Sequence, residues 1–98
     1  MEKIQNMGDV LPVNIPIQIL SVTDTTGRMS PVRFRFEAQD HALVTVQVEN
    51  VVARDEKNYV GIREKQFICT ARVENCRRTM ELRYNVESQQ WRIFRFLS

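Results

Sequence analysis

Apolar and polar residues alternate along most of this chain. Val13, Ile15, Ile17 and Ile19 are spaced by Asn14, Pro16 and Gln18. The same period recurs at 32–38, 44–48, 67–73 and 80–86. A period of two, with β-branched and aromatic residues on one parity, predicts half-buried strands. A sixth run, 91–97, is apolar on both parities and predicts a strand whose inward face is undecided. Turn-forming clusters separate the runs at 23–28, 39–41, 55–58, 75–78 and 87–90. Parallel strands need long crossovers, so these short connections imply antiparallel pairing. The expected fold is all-β: a six-stranded antiparallel meander, closed into a small barrel or curled on itself. Residues 1–98 read as a single β domain, with 1–11 as a loose or partly helical lead-in.

The turns also predict registers. A loop at Gln39-Asp40-His41 places Phe36 opposite Val44 and Phe34 opposite Val46. A turn with Cys76-Arg77 at its tip places Cys69 opposite Tyr84, Ala71 opposite Leu82 and Arg72 opposite Glu81. A turn at 55–58 places Val46 opposite Phe67. Each puts the same apolar set on one face, and a slip of one residue would expose a whole row. The expected core is therefore Phe34, Phe36, Val44, Val46, Phe67, Cys69, Ala71, Leu82 and Tyr84. For the last strand, a four-residue turn sends Trp91 and Ile93 inward and Phe94 and Phe96 outward; a three-residue turn does the reverse.

The segment 49–64 breaks the pattern. Val51, Ala53, Val60 and Ile62 have the opposite parity from Val44, Val46 and Val48 on one strand and from Phe67 and Cys69 on the other. Either a bend or bulge curls this arm over the barrel, or the arm offers Val51, Val60 and Ile62 as an interface to another subunit.

Composition narrows the function. At 98 residues folding buries roughly 60–70% of the unfolded chain's surface, enough for one core. The apolar stretch 10–22 is interrupted by Pro12, Asn14, Pro16, Gln18 and Ser21, too often for a membrane span. With Glu2 near the start, the same interruptions argue against a secretory signal, so a cytoplasmic protein is expected. Cys69 and Cys76 should then be reduced.

No enzyme, cofactor or metal is expected. His41 is the only histidine, and its spacing from the two cysteines is not a zinc pattern. No glycine-rich phosphate loop is present, and the carboxylates pair only as sequence neighbours.

The net charge of +2 is mild, but eleven of the 14 basic residues are Arg. Arg33, Arg35, Arg72, Arg83 and Arg92 are expected on the outward sheet face beside one aromatic row. Arg among aromatics suits a self-association face. It also suits a sequence-tolerant single-stranded nucleic-acid binder, although Glu37, Glu49, Glu74, Glu81 and Glu87 share that face and would repel phosphate. The expected function is a non-enzymatic binding or assembly module. A homo-oligomer would form through the outward face or the 49–64 hairpin. The alternatives are the nucleic-acid binder and a small barrel holding an apolar ligand. No membrane partner is expected.

Overall fold

The computed structural model describes residues 13–98, so the expected lead-in at 1–11 lies outside the described residues. The strands are β1 (Ile15–Pro16), β2 (Gln18–Thr23), β3 (Met29–Glu37), β4 (Leu43–Tyr59), β5 (Ile62–Val73), β6 (Cys76–Asn85) and β7 (Gln90–Phe96). They form one antiparallel sheet in the order β1-β7-β6-β5-β4-β3-β2. β1 and β2 are halves of a single run interrupted at Ile17. One half pairs with the last strand and the other with β3, which closes a six-stranded barrel. The closing seam is short. It consists of Ile15 opposite Ile93 and Pro16 opposite Arg92, with the Asn14 and Ile17 amides donating to the Phe94 and Trp91 carbonyls at 3.0 and 3.1 Å.

The alternating pattern builds the interior. Phe34, Phe36, Val44, Val46, Phe67, Cys69, Ala71 and Leu82 are buried, as expected, and Val73, Met80, Trp91 and Ile93 join them. Tyr84 is half-buried at the rim and packs on this core from its edge. The Trp91 ring lies 5.2 Å from Phe67 and 5.1 Å from Tyr84, so three strands share one aromatic cluster.

The β3–β4 register is the expected one, with Phe36 opposite Val44 and Phe34 opposite Val46. The other two hairpins differ. Glu74 and Asn75 both take left-handed φ, 49° and 70°, and form a two-residue turn of the kind that matches strand twist. Cys76 therefore opens β6 rather than capping the turn. Cys69 meets Met80 instead of Tyr84, and Arg72 meets Arg77 instead of Glu81. The slip is an even number of residues, so the inward parity survives it.

The β4–β5 hairpin turns at Val60-Gly61 rather than at 55–58. Two bulges in β4, after Val48 and after Val51, absorb the extra length. The bulges account for Val51 alone: the first adds one residue to β4 and turns Val51 inward, the second turns Ala53 outward again, and β5 has no bulge, so Ile62 keeps the outer parity. Val51 consequently faces Cys69 and packs half-buried on its own core, not on an exposed stripe. After the second bulge Arg54 falls opposite Phe67, on the inner parity.

At the last hairpin the Asn85 side-chain oxygen accepts from the Glu87 and Ser88 amides, both at 2.9 Å. The four residues 86–89 make the turn, and Trp91 and Ile93 point inward. A bulge then brings Phe96 back opposite Met80, leaving Phe94 on the outside.

Candidate interaction surfaces

Three outer regions collect the chemistry of this barrel. The first is the arm, the part of β4 and β5 from Asp55 to Arg63. Opposed pairs alternate between its two faces. Tyr59–Ile62 and Lys57–Glu64 lie on one, Asn58–Arg63 and Glu56–Lys65 on the other. Tyr59, Val60 and Ile62 are exposed, Val60 completely. Val60 also has a φ of 46°, with Gly61 at 86°. Glycine adopts such angles freely, whereas a β-branched residue there is a steric outlier. Pairing of β4 with β3 ends at Gln47 opposite Arg33. Among the described residues no strand covers the edge of β4 beyond that point. The Arg54 guanidinium partly bridges the gap: it donates to the Met29 carbonyl and the Ser30 hydroxyl and lies 5.7 Å from the Phe67 ring centre.

The second region is the outer face of β5, β6 and β7. Arg83 and Arg92 sit directly opposite each other, a repulsive placement for like charges. Glu64 reaches across to both, at 3.4 and 2.8 Å. Glu81 holds Arg83 at 2.8 Å and Arg95 at 3.0 Å. The Arg83 guanidinium covers the Phe94 ring at 3.4 Å from its centre. Both carboxylates are nearly sealed from solvent, Glu64 at 4% and Glu81 at 3% exposure. This face is a network in which three guanidiniums share two carboxylates, with the buried Arg92 Nε left without a partner among the described residues. Nothing in the alternating pattern marked Glu64 and Glu81 as buried, since both have outward parity; long arginine side chains fold over them.

The third region is a row of outward residues across the barrel wall. Leu20, Arg33, Gln47, Arg72 and Arg77 are successive cross-strand neighbours on β2 through β6. Arg35 lies one row along, between Gln18 and Thr45, and its Nε donates to the Gln18 side chain. Gln18, Leu20, Arg33, Arg35 and Thr45 line a shallow groove of about 360 Å³. Arg77 pairs with Glu49 at 3.1 Å, and Glu37 binds His41 at 2.7 Å. Among the described residues Arg33, Arg35 and Arg72 make no ion pair. The five arginines named from the sequence thus divide. Arg83 and Arg92 are tied into the network, while Arg33, Arg35 and Arg72 share the open wall.

The remaining chemistry is sparse. Burial pushes the Cys69 thiol up to about 12, with Arg54 pulling slightly the other way, so Cys69 stays a neutral core group. Among the described residues no three His, Cys, Asp or Glu side chains converge as metal ligands. A cleft of about 490 Å³ opens beside Ile17, Ile19, Met29, Tyr84, Trp91 and Gln90. Among the described residues no helix is long and apolar enough to cross a membrane. Compared with known protein families, curated proteins and solved structures, the chain matches none.

Proposed function

We propose that this protein is a non-enzymatic assembly module, active in the cytoplasm, that binds a second copy of itself through the arm. The observation carrying this reading is Val60, an apolar β-branched residue held fully exposed and left-handed at the hairpin tip. Backbone strain of this kind persists where the position serves something other than stability. Tyr59 and Ile62 flank it on one face, and among the described residues no strand pairs with the neighbouring edge of β4. An uncovered strand edge with apolar neighbours invites association. One edge can meet its own copy antiparallel about a two-fold axis, which closes the assembly. The β4 bulges and the charges of Asp55, Glu56 and Lys57 work against open-ended stacking, as edge strands commonly require.

The test is sedimentation equilibrium over a concentration series. The wild-type chain should exceed the 11.6 kDa of one copy. Ile62→Asp and Val60→Asp should return the monomer mass with the melting temperature of the barrel preserved. A wild-type chain that stays monomeric at every concentration, or variants whose mass is unchanged, would overturn the reading.

A further inference from the structure

A comparison of two opposed arginine pairs points to a second binding surface. On the outer wall of β6 and β7, Arg83 faces Arg92, and Glu64 lies between them and bonds both. On β5 and β6, Arg72 faces Arg77 in the same way. Among the described residues no carboxylate bridges this second pair; Arg77 turns aside to Glu49 instead. Like charges directly opposite on a sheet are unfavourable unless an anion sits between them. Two strands further round, Arg33 continues the row through Gln47, and Arg35 stands beside it with Thr45 and Gln18.

We propose that the row Arg33–Gln47–Arg72–Arg77, with Arg35, binds the phosphate backbone of single-stranded nucleic acid. A phosphate between Arg72 and Arg77 would do what Glu64 does between Arg83 and Arg92: its oxygens accept from both guanidiniums. Arg33 and Arg35 supply the next contacts. Three strand spacings separate Arg33 from Arg77, about 14 Å along the row, enough for several phosphates of one strand.

The structure answers part of the objection that acidic neighbours would repel such a ligand. Glu81 is closed beneath Arg83 and Arg95, Glu37 is bonded to His41, and Glu49 is held by Arg77. Glu87 lies in the β6–β7 turn. Only Glu74, in the turn beside Val73, remains near the row with no partner among the described residues.

Two features of the wall narrow the ligand. The row carries no outward aromatic side chain, and Phe94 is covered by Arg83 on another face. Bases therefore find no stacking platform, and recognition is of the backbone, tolerant of sequence. The row also runs round a convex barrel. A flexible single strand can follow that curve, whereas a stiff duplex touches it over few phosphates.

The experiment is fluorescence anisotropy of a labelled oligothymidylate with the full chain, titrated across salt concentrations. Arg33, Arg35 and Arg72 as three contacts, at about −0.7 each, predict a log–log slope near −2, about a hundredfold loss of affinity per tenfold rise in salt. Arg72→Gln, Arg33→Gln and Arg35→Gln should each weaken binding and flatten the slope by about 0.7. Arg28→Gln, in the β2–β3 turn, removes the same charge away from the row and should leave both unchanged. Circular dichroism establishes that each variant is folded. Absence of binding at low salt by the folded protein would overturn the proposal. So would equal loss in Arg28→Gln, which would indicate net charge alone. A duplex bound more tightly than the single strand would overturn it too, as would polyglutamate competing as well as the oligonucleotide, which would make the row a carboxylate site.

Discussion

Cys69 illustrates how one buried atom links packing to solution behaviour. It sits on the inner face of β5 against Val51 and Met80, fully buried. Burial raises its thiol from 9.0 to about 12. The folded chain therefore keeps this proton at alkalinities where the unfolded chain releases it. A raised pKa contributes stability that is fully present below the unfolded value and is lost as pH climbs through the window from 9.0 towards 12. Denaturant unfolding of the wild type, compared with Cys69→Ala, should show an extra loss of roughly 1 kcal/mol between about pH 8 and pH 10. Parallel pH profiles for the two proteins would contradict the burial argument. Alkylation should likewise distinguish the two thiols: Cys76, at the start of β6, is partly exposed and should react in the native state, whereas Cys69 should react only on unfolding.

At the scale of the element, turn chemistry sets register, and it is legible only in part. The β2–β3 turn carries a clear signature. Asp24 accepts from the Thr26 amide at 2.9 Å, the Thr26 hydroxyl at 2.7 Å and the Arg28 amide at 2.9 Å, while Gly27 supplies a φ of 90°. Those bonds, the Thr26 hydroxyl first, hold the Asp24 carboxyl below its ordinary range. The Val60-Gly61 turn lacks such a signature, because valine is a poor candidate for a left-handed position. Replacing it with asparagine, the preferred partner of glycine in this turn, should relieve strain. Val60→Asn is expected to stabilise the chain by about 1 kcal/mol while weakening its self-association in sedimentation. A less stable variant would mean that the turn is not strained as described. Unchanged association would mean that the tip apolar group plays no part in assembly.

At the scale of the whole molecule, the barrel carries two unlike sets of arginine, one bound to buried carboxylates and one open. Glu64 is the keystone of the first: without its charge, Arg83 and Arg92 oppose each other with only Glu81 beside Arg83. Glu64→Gln keeps the side-chain shape and removes the charge, and should cost about 1.5–3 kcal/mol in urea unfolding. Glu37→Gln, at the exposed His41 pair, should stay within about 0.5 kcal/mol of wild type. Equal effects of the two substitutions would show that the sealed network contributes no more than a solvated pair.

The sequence alone determined the strand composition, the antiparallel order and most of the core. Alternation is a local property, and an apolar parity stays inward whichever even register a turn selects. The predicted inward residues of β3, β5 and β6 are accordingly buried, apart from the half-buried Tyr84, although the β5–β6 partners are displaced. Tertiary structure decided what no local pattern encodes. Bulges at Glu49 and Val52 turned Val51 towards the core and placed the exposed Arg54 opposite Phe67. A two-residue turn at Glu74-Asn75 put Arg72 opposite Arg77. Which arginines met a carboxylate depended on neighbours far apart in sequence, such as Glu64 and Arg92 on separate strands. Charge pairing across a sheet follows register, and register in turn depends on single residues in turns and bulges, where one insertion redirects every contact beyond it.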